Sequence, residues 1–425
     1  MSITAWIALS LFLIIYIVIS TEKINKTIVA LMGGAVFITL EIIGQEEAFH
    51  VIDWNVIFLL ISMMVIINIT KTTGLFQYVA IKTAKSVQGN PLKILILLTI
   101  ITAVFSAFLD NVTTMLILSP VTILIAVELG ISPAPFIICM AIGSNIGGTA
   151  TLIGDPPNIM IGSAANLQFI NFLAHLGPVI IIILAVFVGL MFLLFRKQMT
   201  VSNERKARIM DFDESKSLTD KPLLIRCVAV LGLVIIGFLL HGLLGLEAST
   251  VALFGAALLL LISGKHEPEE FFRDIEWGTI FFFIGLFIMV GGLVEQGWIK
   301  KCSQFLLSLT KGDLRYTSVL LVWVSGIFSA IVDNIPYVAT MIPMVQDIAA
   351  SVGPDAAMPL WWSLALGACL GGNATLVGAS ANVVSAGIST KNGYPITFMD
   401  FTKYGLAITL ISLALSTGYV LLRYF

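Results

Sequence analysis

Gly147-Gly-Thr-Ala-Thr-Leu-Ile-Gly-Asp-Pro-Pro-Asn158 returns, 224 residues later, as Gly371-Gly-Asn-Ala-Thr-Leu-Val-Gly-Ala-Ser-Ala-Asn382. Each copy interrupts a long apolar stretch with glycines, hydroxyls and amides, which buried helix does not tolerate without a reason. The match does not stand alone. Val29–Ala35 recurs at Val251–Ala257, Asp53-Trp54 at Glu276-Trp277, and Ser106–Pro120 at Ser329–Pro343, at offsets of 222 and 223. A near-constant offset over four stretches makes the chain a duplication. Repeat 1 covers 1–195, a linker 196–224, and repeat 2 225–425.

The chain has 425 residues, of which 58% are hydrophobic and 11% charged, with mean hydropathy +1.02. A soluble domain carries roughly 25% charged residues, so this composition and the recurring apolar runs specify a polytopic all-α membrane protein in the lipid bilayer. The first run, Ile3–Ser20, lacks a basic n-region and a cleavage site and reads as a span. A net charge of −2 argues against nucleic acid as a partner. Cys139, Cys227, Cys302 and Cys369 are scattered and form no metal-spacing motif. No metal site or cofactor is expected.

Each repeat is predicted to hold five crossing segments, a hairpin of two half-length helices (92–128 and 316–350) and one broken helix (134–170 and 357–388). Five is odd, so the second copy must be inverted relative to the first, a plan that puts a site at the midplane between interrupted helices. Orientation follows from basic residues. The linker carries Arg196, Lys197, Arg205, Lys206, Arg208, Lys216, Lys221 and the adjoining Arg226, which places it in the cytoplasm. Lys23 and Lys26 then fall on the same side, and Lys300, Lys301, Lys311 and Arg315 outside.

No lysine or arginine occurs from Ile94 to Phe195 or from Tyr316 to Thr390, yet both stretches contain carboxylates. Ionisable groups at membrane depth are functional candidates by default. Glu128, Asp347 and Asp355 adjoin Gly-Pro or Ser-Pro turns and read as interfacial. Asp110 and Asp333 occupy the same place in both repeats, each before an asparagine, and read as tips of re-entrant hairpins. A helix break offers carbonyls at one end and N–H groups at the other. With Asp110, Asn111, Thr113, Thr114, Asn145, Gly148, Thr149, Thr151 and Asn158 in repeat 1, this predicts an all-oxygen site for a hard cation or a proton. Asp333, Asn334, Gly372, Asn373, Thr375 and Asn382 offer the same in repeat 2. The N–H ends, without a basic side chain nearby, suit a small polar or anionic solute. Asp155 aligns with Ala379, so one carboxylate is unique to repeat 1. It reads equally as a proton carrier or as the N-cap of the helix after it. Cys369 beside the second break reads as packing, and His50, His175, His241 and His266 as interfacial residues at span ends.

The stretches Phe108–Ile123, Gly147–Asn158, Val332–Pro343 and Gly367–Gly387 resemble the ion transporter superfamily. Most similar is the branch holding arsenite-efflux permeases of the ArsB type and the melanosomal P proteins; divalent-anion/sodium symporters are more distant. The resemblance implies a scaffold, and a transport unit containing both hairpins and both broken helices. It implies a secondary transporter of the cell membrane, not an enzyme, that exports arsenite or antimonite against a proton gradient. Arsenite is an uncharged hydroxide at neutral pH and fits a site of threonines, asparagines and backbone groups free of basic side chains. Soft capture would need clustered thiols. The alternatives are Na+/H+ antiport and sodium-coupled uptake of dicarboxylates or other anions. The chain contains no phosphate-binding loop of the form GxxxxGK[ST], so an energised pump would require a partner ATPase.

Overall fold

A computed structural model describes residues 2–21, 23–264 and 269–425; His266 lies outside them. Its described secondary structure is all helical. Among the described residues ten helices are long and apolar enough to cross a membrane, and the shorter helices Lys26–Thr39, Ala134–Gly148 and Ala248–Ile262 are also apolar.

Two equivalent helices reveal the inversion. Lys26–Thr39 lies along Trp277–Glu295 in the same direction, because Thr27 Oγ1 donates to the Gly278 carbonyl (2.8 Å) at one end and Gln296 Nε2 donates to the Ile42 carbonyl (2.9 Å) at the other. Gly34 and Gly285 make the crossing close: a Cβ built on Gly34 would stand 3.3 Å from the Gly285 Cα. From Ile42 the chain turns back, and Trp54–Thr72 starts where Trp277–Glu295 ends. Asp53 shares a cavity there with Gly291, Val294 and Glu295. Trp54–Thr72 and Trp277–Glu295 are repeat equivalents, so equivalent helices run in opposite senses. The mirrored contact pairs Ser249 Oγ with Asn55 Oδ1 (2.9 Å).

The linker sits at the other end of Trp54–Thr72, where the Thr219 hydroxyl donates to the Thr72 carbonyl (2.6 Å). It also reaches the amphipathic helix Leu75–Ser86, where Lys85 Nζ meets Glu214 Oε2 at 2.6 Å. That helix and its repeat-2 counterpart Trp298–Leu309 were not anticipated, because the search for apolar runs passes over half-polar segments.

The hairpins are Pro91–Phe108 with Asn111–Glu128, and Leu314–Ile331 with Asn334–Val352. Their arms have 18 or 19 residues rather than half a span. At 1.5 Å per residue each arm is about 27 Å long, nearly the full hydrocarbon thickness. The tips are nevertheless re-entrant. In inverted repeats, full crossings would leave the two tips on opposite faces, about 30 Å apart. Instead Asn111 and Asn334 donate to the same buried carboxylate. The arms must therefore run obliquely or project past the hydrocarbon at their bases.

The broken helices are Ala134–Gly148 with Pro156–Ala164, and Pro354–Gly371 with Ser380–Lys391. The glycines are required where backbones touch: a Cβ on Gly154 would stand 2.5 Å from the Ser106 carbonyl oxygen, and one on Gly371 2.5 Å from that of Gly326. Each break is fastened to its own hairpin by a threonine hydroxyl, Thr151 donating to the Ala107 carbonyl and Thr375 to that of Ala330 (2.6 Å).

Candidate functional site

The two tips and the two breaks meet in one buried polar network. Asn111 Nδ2 donates to Asn145 Oδ1 (3.1 Å) and Asp155 Oδ1 (3.2 Å). Asn334 Nδ2, from the opposite repeat, approaches Asp155 Oδ2 at 3.3 Å. Asn145 Nδ2 in turn donates to Asn373 Oδ1 (2.9 Å) and Asn382 Oδ1 (3.0 Å). Asp155 is fully buried and makes no capping bond to the helix that follows it. It holds the N-cap position through its backbone alone: its side-chain oxygens face amides of both tips, so the side-chain cap of the sequence reading is absent.

A cavity of about 260 Å³ opens beside this carboxylate. Its polar lining comprises Asn25, Lys26, Asp110, Asn111, Asp155, Glu276, Thr279, Asn334 and Ser380. It lies at the linker-side starts of Lys26–Thr39 and Trp277–Glu295. Asp110 caps its own hairpin arm, accepting from the Thr113 amide at 2.8 Å. Asp333 does the same with the Ile335 amide (3.1 Å). It also accepts from Ser380 Oγ (2.6 Å) and from the Lys26 ammonium (2.6 Å), which further donates to Ser380 Oγ (2.7 Å).

Lys26 corrects the sequence reading of a site without basic side chains. The sequence places it only on the linker side of the membrane, and its partners lie 307 and 354 residues away, beyond any local pattern. Glu276 was visible only as the repeat partner of Asp53. In the fold the two diverge: Asp53 caps its helix through the Asn55 and Val56 amides, whereas Glu276 makes no such bond and faces the cavity with Asp110.

Of the sequence candidates, Asp110, Asn111, Asp155 and Asn334 line this cavity, with Asp333 directly behind Lys26. The others do not line it, and most hold the breaks together. Asn158 Nδ2 donates to the carbonyls of Thr149 (3.1 Å) and Thr151 (2.9 Å), and Asn382 Nδ2 to those of Gly372 (2.9 Å) and Thr375 (3.0 Å). These bonds satisfy carbonyls freed by the helix ends. The Thr149 hydroxyl donates to the Asn145 carbonyl (2.7 Å). The expected ring of free carbonyls and hydroxyls is thus spent internally. Gly148 packs against the Gly154 carbonyl and Ser106. Thr113 and Thr114 are buried along the hairpin arm, and Asn373 is buried with its Nδ2 unpaired. Cys369 is buried, but it does more than pack: its thiol donates to Asn158 Oδ1 (3.6 Å) and also bonds the Asp155 side chain. Among the histidines, His175 stacks on Trp362, and His241 accepts from the Phe169 amide (3.2 Å).

A carboxylate-lined cavity between inverted helix breaks is the layout of a transporter, and known proteins agree. The model of the citrate transporter family (CitMHS) matches residues 16–367. The chain belongs to that family. It is 47% identical to a 46 kDa membrane protein of Mycobacterium leprae, across 98% of each chain. It is 32% identical to the human P protein over 96% of this chain and 59% of that protein. The crystal structure of the YdaH transporter of Alcanivorax borkumensis superposes with a TM-score of 0.56 at 14% identity, over 85% of this chain and 84% of that one, a likeness of fold. The chain is a multi-pass membrane transporter of small solutes, and the P-protein resemblance read from its motifs is met.

Proposed function

We propose that this transporter exchanges a small cation for protons, with Asp155 and Asp110 as the groups for which the two compete. The observation that carries this reading is the charge of the cavity. Asp110, Asp155 and Glu276 line it with one ammonium, that of Lys26, which is itself paired with Asp333 behind it. Carboxylates that converge in a low-dielectric space favour a cation or a proton strongly. They disfavour a free di- or tricarboxylate, so citrate, the solute in the family's description, would enter only protonated or bound to a cation. Asp155 receives amides from both hairpin tips, so its charge state bears on how the two repeats pack together.

Purified protein in proteoliposomes with a trapped pH dye tests this reading. Added Na+ should drive proton release from acid-loaded vesicles, and a protonophore should collapse the response. Absence of any Na+-dependent proton flux would refute the exchange.

A second reading, proton-coupled efflux of arsenite or antimonite, keeps one support: an uncharged hydroxide is not repelled by the carboxylates and fits a small cavity of amides. Its premise of a site free of basic side chains does not survive Lys26. Everted vesicles that accumulate arsenite under a proton gradient, while ignoring Na+, would favour it.

A further inference from the structure

We propose that the Lys26 ammonium is a built-in cation that occupies the repeat-2 tip, so that only the repeat-1 half of the site is left for a mobile one. This inference rests on the exchange reading above and adds to it which carboxylates the moving ion visits.

The argument is a comparison of two equivalent tips. Asp110 and Asp333 stand at matched positions and each caps its own arm through a backbone amide. Asp333 has two further donors, the Lys26 ammonium and the Ser380 hydroxyl, both at 2.6 Å. By the repeat offsets, Lys26 corresponds to Ala248 and Ser380 to Pro156, neither of which has a side-chain donor. Among the described residues Asp110 has no basic partner. The extra carboxylate shows the opposite asymmetry: Asp155 belongs to repeat 1, where repeat 2 has Ala379. Asp110, with Asp155 and the repeat-2 Glu276 beside it in the cavity, is therefore left without a basic partner, whereas the Asp333 tip is a closed pair.

The pair is also positioned to last. The Asp333 side chain is 9% exposed and that of Lys26 30%, and the ammonium lies 5.2 Å from the centre of the Phe282 ring. A charge so enclosed, once its partner is removed, must recruit another cation or accept a proton. A tethered ammonium spares the protein that demand at one of two equivalent positions. It also joins repeat 1 to both the hairpin and the broken helix of repeat 2.

Lys26→Ala should open the second position. In proteoliposomes under a set K+/valinomycin potential, the reversal potential should report one more cation per turnover than in the wild type. Lys26→Ala with Asp333→Asn should restore the wild-type value, and Lys26→Arg should keep it. Unchanged stoichiometry in an active Lys26→Ala protein would overturn the inference. So would an inactive Lys26→Ala protein, correctly inserted and monodisperse, that Asp333→Asn does not rescue. Melting of purified protein against Na+ separates this from failure of the exchange itself. Lys26→Ala should gain one Na+-dependent step over the wild type, the slope of stability against ln[Na+] rising by one bound ion, even if wild-type vesicles show no Na+-driven proton flux. Identical Na+ dependence in both proteins, whether flat or sloped, refutes it.

Discussion

Asp155→Asn separates a charge that works from a side chain that merely fills space. The substitution preserves shape and removes the charge. A monovalent cation about 4 Å from a carboxylate gains about 4 kcal/mol at an effective dielectric of 20, so its loss should weaken cation binding about 10³-fold. Stability should respond far less, because two effects oppose each other. Asn111 and Asn334 now donate to Asp155; an amide can accept with only one of its two ends, and a weakened hydrogen bond to a charged group costs about 1.5–3 kcal/mol. Against that, a fully buried carboxylate no longer has to be desolvated. The net change in stability should be within about 2 kcal/mol. The assay pairs Na+-driven proton flux in proteoliposomes with melting in detergent. Exchange within a few-fold of wild type in Asp155→Asn would refute the reasoning, because the cation would then be bound elsewhere.

Three further outcomes follow from the same geometry. Asp110→Asn and Asp333→Asn should each reduce exchange at least tenfold, while Glu128→Gln and Asp347→Asn, away from the cavity, should stay within about threefold by the same flux assay. Gly285→Ala should destabilise by about 1–3 kcal/mol, since its Cβ would meet the Ala30 carbonyl on the neighbouring helix. Gly232→Ala, with nothing within 4 Å, should stabilise by about 0.5–1 kcal/mol, both read as shifts in melting temperature. The linker clamp should depend on pH. The Lys85 ammonium, hydrogen-bonded to Glu214, holds that carboxyl below its ordinary value. The clamp is therefore complete above about pH 4.3, the unperturbed glutamate value, and is lost as pH falls through the lower folded one. Proteolysis of the linker should accelerate only below that range in wild type, but already at neutral pH in Glu214→Gln.

What could be read from the sequence and what could not divides along one physical line. The duplication, the inversion and the two breaks are written in residues close to one another in the chain: glycines where backbones touch, prolines after Asp155, and an Asp-Asn pair at each tip. Chemistry of that kind is local, so a constant offset of about 223 was enough to locate all four elements. Arm length failed because an apolar run shows how much hydrocarbon a helix can match, not the angle at which it enters. The site was half legible for a related reason. Asp110, Asn111, Asp155 and Asn334 stood out as polar groups with no local excuse, whereas Thr149, Thr151, Asn158 and Asn382 stood out equally and turned out to serve the breaks themselves. A freed carbonyl demands a donor wherever it occurs, so every helix break recruits polar residues before any solute does. Lys26 shows the converse. A lysine at the first turn of a helix near a chain bend has an ordinary explanation in its own neighbourhood, and only the fold, by inverting one repeat against the other, delivers it to Asp333. In an inverted duplication the residues that break the symmetry are thus the ones to examine first. Asp155 and Lys26 have no counterpart in the other repeat, and they carry the opposite charges that make the two halves of this cavity chemically distinct.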